Sequence, residues 1–259
     1  PIVKTARDFG LGDVSGIDVP GEKKGIIPDP EWKKKKIKTV WFRGDTILLS
    51  IGQGFTLVTP IQLAKAYTFL ANKGWAYEPH VISKIEDLQT GKIEVVTTKK
   101  TTLNDYPESY YDIINDALIA TVDQNNGTTR IMRNPYVKVA AKSGSAQNPH
   151  SKLTHAWVAG YFPADKDPEI VFVCLLEGAG GGGVMAGGMA KRFLDKYLEL
   201  EKGIVINKKA PHTESKTTNS TIQTSGNQEN ESSREGIGEE RENEERQTAE
   251  TNTVEGQQN

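Results

Sequence analysis

The sequence predicts an α+β fold, an antiparallel sheet flanked by helices, and three features carry that prediction. Two segments repeat apolar residues at helical period between start and stop signals. Late in the chain, β-rich runs follow one another over short links, which favours antiparallel pairing over long crossovers. A further periodic segment then closes the body and can cover one sheet face.

Residues 1–58 hold Gly10, Gly12, Gly16, Pro20, Gly21, Gly25, Pro28 and Pro30 and read as surface loops, and the run Lys33 to Lys36 reads as a solvated face. Thr59-Pro60-Ile61-Gln62 starts a helix: threonine caps, proline takes the first helical position, and glutamine follows three residues after the cap. Gly74 stops that helix, and because only Lys65 and Lys73 are charged between, it is predicted to be largely buried. Residues 80–86 and 92–98 alternate around Thr90-Gly91 as a peripheral hairpin. Pro107 opens a second helix that Gly127 closes, with Tyr110, Ile113, Ile114, Ala117, Leu118 and Val122 as its inward face. Strands are predicted at 137–141, 154–162 and 170–176, then a helix over 185–200 with Phe193, Leu194, Tyr197 and Leu198 as its stripe.

Composition narrows the function. Lys and Arg total 32 against 34 acidic residues in 259, a net charge of −2, which argues against a nucleic-acid partner. The single cysteine, Cys174, excludes a disulfide framework and a multi-cysteine zinc site, and its apolar surroundings make it a small buried hydrophobe. No apolar run approaches the roughly 18 residues a spanning helix requires. Residues 205–259 hold 6 Lys or Arg and 11 Glu with no aromatic, so they read as a disordered acidic and polar tail without chemistry, after a folded body at 1–204.

Lys142-Ser143-Gly144-Ser145 places a cation, two hydroxyls and a glycine at the end of a predicted strand. In extended chain Lys142 and Gly144 share one direction, and Ser143 and Ser145 the other. On an edge facing a cleft, the glycine lets a substrate backbone approach and an outward N–H can serve a developing oxyanion. Gly178 to Gly183 matches G-x-G-x-x-G, but no second parallel strand with an acidic end follows, so no dinucleotide site is inferred. His80, His150, His155 and His212 lack metal-ligand spacing. No metal and no cofactor is expected.

Gly44-Asp45-Thr46, Ser50-Ile51-Gly52-Gln53-Gly54, Thr59-Pro60-Ile61-Gln62, Lys142-Ser143-Gly144-Ser145-Ala146-Gln147 and His155-Ala156-Trp157-Val158-Ala159-Gly160-Tyr161 occur together in this order. By these motifs the chain, from about residue 5 to 200, resembles class B penicillin-binding protein 2, a family of peptidoglycan D,D-transpeptidases. Gly16 to Glu22 and Glu31-Trp32-Lys33 look like its elongation-type members. The resemblance implies the penicillin-binding and serine β-lactamase-like fold, incomplete at its N-terminal side. It also implies acyl transfer on peptidoglycan stem peptides, β-lactam antibiotics as mimics of the substrate, and a membrane glycan polymerase as partner. The location implied is the extracytoplasmic, periplasmic face of the cytoplasmic membrane, through an anchor outside this chain.

The roles implied are residue-specific. Lys142 supplies positive charge and assists the proton network; Ser143 and Ser145 hydroxyls hold a carboxylate; Gly144 keeps the edge open; the Ser145 N–H is one of two oxyanion donors. Ser145 stands where threonine is more usual. The nucleophile of the family lies in Ser-x-x-Lys, which occurs nowhere in this chain, and the lone Ser-x-Asn, Ser225-Gly226-Asn227, falls in the tail. The chain is therefore expected to be the distal part of a transpeptidase, inactive alone. A noncatalytic β-lactam sensor or peptidoglycan-binding module is the alternative, and a serine β-lactamase the third reading.

Overall fold

Helix α4 (Pro60–Ala71) shows how the sequence sets the architecture. Thr59 Oγ1 accepts the Gln62 N–H at 3.3 Å and Gln62 Oε1 accepts the Thr59 N–H at 3.1 Å, a reciprocal cap around the predicted start. The same Gln62 is fully buried, and its Nε2 donates to the carbonyls of Asp13 at 2.5 Å and Lys24 at 2.7 Å. One side chain thus closes the helix end and ties the preceding segment to it. As expected, none of residues 61–71 is exposed.

The computed structural model describes residues 1–148 and 152–204. His150, His212 and the predicted tail lie outside the described residues.

Residues 1–58 are not loop throughout, which corrects the sequence reading. They contain α1 (Ile2–Asp8), α2 (Pro30–Lys36) and α3 (Arg43–Ser50). Helices this short repeat their apolar residues too few times for periodicity to register, and they depend on end contacts instead. Asp29 accepts the Trp32 N–H at 2.7 Å ahead of Pro30 in α2, and Asp45 accepts the Phe42 N–H at 2.7 Å at the start of α3. The lysine run is corrected too. Lys34, Lys35 and Lys36 are exposed, but Lys33 is only 5% exposed, 2.5 Å from Asp45 and over the Phe42 ring at 4.6 Å. This buried pair joins α2 to α3.

Strand β1 (Trp75–Tyr77) pairs with β4 (Lys100–Thr102), a ladder too short to read from sequence, and the predicted hairpin survives as β2 (Lys84–Glu86) with β3 (Ile93–Val95). Helix α5 (Glu108–Asp123) starts as predicted but turns a different face inward. Tyr111, Leu118 and Val122 are buried, whereas Tyr110, Ile113, Ile114 and Ala117 are exposed. Asn115 is the reason: its Nδ2 donates to Ala164 O at 3.1 Å and its Oδ1 accepts the Tyr161 hydroxyl at 2.7 Å, so a polar residue belongs to the inner stripe. Burial pushes Tyr161 up to about 12, which keeps that phenol a donor.

The central sheet has the order β5 (Ala140–Ala146), β6 (His155–Phe162), β7 (Ile170–Leu176), all antiparallel. Strand β5 starts later than predicted and runs through the Lys142 to Ser145 motif, because pairing with β6 continues to Ala146 opposite His155. Val139, Ala141, Ala156, Val158, Phe162 and Phe172 pack on one face against Ala186, Ala190, Leu194 and Leu198 of α6 (Met185–Lys202). Phe193 of the predicted α6 stripe is exposed. Ala140 and Tyr161 face the other way, toward Leu118 of α5 and Tyr67 and Leu70 of α4. Helices therefore cover both faces, as the α+β prediction holds.

Asp45 is held below the usual carboxylate range by hydrogen bonding to Lys33 and then to the Phe42 N–H. A depressed folded value means the pair contributes stability above the unfolded carboxyl value, about 4, and loses it as pH falls toward the folded value. Lys33→Met should therefore lower the unfolding midpoint most above about pH 5, with the gap to wild type closing in acid. Tryptophan fluorescence reads it, since Trp41 Nε1 donates to Thr46 Oγ1 in α3 and Trp32 packs on Phe55.

Candidate active site

Among the described residues strand β5 has a neighbour on one side only. The carbonyls of Ala141, Ser143 and Ser145 accept from Thr121 Oγ1 at 2.5 Å, Lys142 Nζ at 2.7 Å and Gln53 Nε2 at 3.4 Å. Three alternate residues finding side-chain donors is the pattern of main-chain groups turned away from β6, since a residue's N–H and C=O leave a strand on the same side. The N–H groups of Ser143 and Ser145 belong to that open side. Side chains alternate at right angles to this. Ser143 and Ser145 share the face of Val139 and Ala141, toward α6, while Lys142 and Gly144 share that of Ala140.

Lys142, Gly144 and Ser145 are exposed and Ser143 is half-buried, so all of the motif borders solvent along the edge. At the Ser145 end opens a cleft of about 540 Å³ lined by Leu48, Gln53, Gly54, Gln147, Lys152 and Thr154 among others. Gln53 follows α3, the helix that the Lys33–Asp45 pair anchors. A buried ion pair, a short helix and one carboxamide thus connect residues 33 and 145.

The glycines on this strand pair differ in what they are for. A Cβ on Gly160 would stand 2.2 Å from Ala140 O, so close backbone approach requires that glycine. A Cβ on Gly144 would meet only Trp157 Cβ at 3.6 Å, an ordinary contact, and Gly144 is not among the glycines with positive φ. Packing therefore gives no reason for glycine at 144. What its missing side chain leaves is room outside the strand.

The other candidates hold structure. Gly178 N–H donates to His155 Nδ1 at 3.1 Å, which makes that nitrogen an acceptor. Burial pushes the Cys174 thiol up, and its side chain packs against the α6-side core. Among the described residues no group of three or more His, Cys, Asp or Glu is placed to hold a metal, and no helix is long and apolar enough to cross a membrane. Sequence reasoning gave no site role to Gln53 or Thr121. Gln53 stood inside a quoted motif, whereas nothing local marks Thr121, whose partner is 20 residues away.

A family model described as the penicillin binding protein transpeptidase domain matches residues 1–196. Peptidoglycan D,D-transpeptidase MrdA of Haemophilus influenzae is 34% identical over 221 residues, 74% of this chain and 32% of that protein. The Escherichia coli K12 protein of the same name is 34% identical over 207 residues, 73% of this chain and 32% of its own length. The chain thus spans about a third of the curated relatives it matches. Among solved structures, Pseudomonas aeruginosa PBP2 in complex with WCK 5153 is similar with TM-score 0.67 and 30% identity, over 80% of this chain and 46% of that one. The PBP2 of Helicobacter pylori, solved with MreC, gives 0.66 and 28%, over 77% and 36%.

Glycine inside a strand costs about 0.5–1 kcal/mol relative to alanine. With space at 144 and no positive φ, Gly144→Ala should raise unfolding stability by up to about that amount in urea titrations. A loss of stability would show that packing does require the glycine.

Proposed function

Because this chain belongs to the penicillin-binding protein transpeptidase domain family, we propose that it is the distal part of a peptidoglycan D,D-transpeptidase and supplies the substrate-holding edge of its active site. The observation that carries this reading is the pair of a β5 with one neighbour among the described residues and a glycine at 144 that their packing does not need. An edge with outward N–H and C=O groups takes an extended peptide as an added strand. Gly144 lets that peptide lie close.

In the reaction, a serine hydroxyl from outside these residues attacks the penultimate D-alanine carbonyl of a stem peptide. The C–N bond to the terminal D-alanine breaks, that residue leaves as the amine, and the acyl group passes to an amine of a neighbouring strand. The Ser145 N–H donates to the oxyanion that forms at the attacked carbonyl; losing one such donor costs about 3 kcal/mol of transition-state stabilisation. Ser143 and Ser145 hydroxyls hold the terminal carboxylate, and Lys142 adds positive charge beside them and serves the proton network. β-Lactams bind by presenting the same carboxylate and an acyl centre at the same spacing.

The complete protein works at the extracytoplasmic face of the cytoplasmic membrane. The relatives support partners there: one similar structure is a complex with MreC, and another, at TM-score 0.63 and 28% identity, belongs to a peptidoglycan synthase complex coordinating polymerisation and crosslinking. A membrane glycan polymerase is the partner this implies. A noncatalytic β-lactam sensor remains the second reading, favoured by the lack of Ser-x-x-Lys in the 259 residues.

Fluorescent penicillin decides between them. The 259-residue chain alone should form no covalent adduct, and the longest polypeptide encoded in frame with it should be labelled at a serine followed three residues later by lysine. Labelling of the short chain would overturn the missing nucleophile; an unlabelled long polypeptide that still binds penicillin would favour the sensor. In the labelled protein, Gly144→Ala should slow acylation about tenfold or more, a loss of order 1.4 kcal/mol, despite its gain in stability.

A further inference from the structure

The glycine tract after β7 is bonded to the site strands at successive points. Gly178 N–H donates to His155 Nδ1 at 3.1 Å. Gly180 N–H donates to Thr154 O at 3.0 Å, and Thr154 Oγ1 donates back to Gly180 O at 2.8 Å. Gly182 N–H then donates to Ser145 Oγ at 3.1 Å. Gly182 is buried, and a Cβ there would lie 2.1 Å from Gly144 O and 2.7 Å from Trp157 O. The tract is thus pressed against the back of the two residues that the proposed site uses, at a distance only glycine permits.

A serine hydroxyl has one proton to give and two lone pairs. When a main-chain N–H is aimed at one lone pair, the hydroxyl's own proton must turn elsewhere, and Ser145 is exposed on its other sides. A donating hydroxyl is what a carboxylate ligand needs, since an ionised carboxylate only accepts. Resting on the transpeptidase reading, we propose that Gly182 is a positioning residue. Its amide fixes the Ser145 hydroxyl as a donor toward the ligand carboxylate, and the Thr154 and His155 contacts hold the tract so that this amide stays in place.

The first test needs no activity. In the 259-residue chain, amide exchange by heteronuclear NMR should find Gly182 protected, with protection lost in Ser145→Ala and kept in Ser145→Thr. An unprotected Gly182, or one indifferent to Ser145→Ala, overturns the proposal. The second test uses the penicillin-reactive long polypeptide, with acylation rates counted per folded molecule. Gly182→Ala should slow acylation about tenfold in the wild-type background and less than about twofold in Ser145→Ala, because residues acting through one another are not additive. Equal losses in both backgrounds would make Gly182 merely structural and sink the idea. Should Gly182→Ala not fold, Thr154→Val replaces it, with about a threefold loss expected in wild type and none in Ser145→Ala. If the long polypeptide does not react with penicillin at all, the transpeptidase reading fails, and the exchange measurement still decides the Gly182 contact.

Discussion

A strand paired on one side leaves every second N–H and C=O without a ladder partner, and such groups must find donors, solvent or a ligand. Strand β5 lives under that constraint. Its outward carbonyls are met by Thr121 from α5, by Lys142 from the strand itself and by Gln53 from the loop after α3. Helix α5 and the loop after α3 are each placed so that one polar side chain reaches this line. The sheet supplies rigidity, and the helices on its two faces keep β5 from moving without the rest of the core.

The segment before α4 matters for the same reason. Its short helices have little stability of their own, and polar staples fix them: Gln62 to the carbonyls of Asp13 and Lys24, Asp29 to the Trp32 N–H, and Lys33 to Asp45. The last of these sets the start of α3 and so the approach of Gln53 to Ser145. Much apolar surface in this region stays open, including Ile47 at 64% and Ile51 at 67% exposure. Open apolar surface of that kind is the sort that contacts with other protein surface cover.

What the sequence made legible was whatever is local. The cap of α4 is written in four adjacent residues, and the sheet order follows from strand spacing and short links. Contacts between distant residues were not legible. Lys33 looked like one of four equivalent lysines until Asp45 and Phe42 were placed around it. The inner face of α5 was misread because Asn115 is polar by type and half-buried by its bonds to Ala164 O and the Tyr161 hydroxyl. The motif at 142–145 was visible as residues, but that it runs mid-strand along an open edge depends on the register with β6. The glycine tract was legible as glycine and its phosphate-loop pattern was set aside for want of a second parallel strand, but what glycine is for at 182 was not legible, because that need comes from Gly144 and Trp157 across the fold.

The far margin of the same sheet is of opposite character. Between Ile170 and Leu176 β7 carries neither charge nor proline, and β6 is its one ladder partner among the described residues. Margins of that composition zip onto like segments from other molecules, and natural sheets guard them with lysine, proline or a bulge. Here the guards stand at the ends: Pro168 and Glu169 precede the strand and Glu177 follows it, so only the seven residues between them are unguarded. The sheet thus has one margin open to an extended ligand and one whose apolar stretch is fenced by charge and proline, so strand addition is directed to the β5 side.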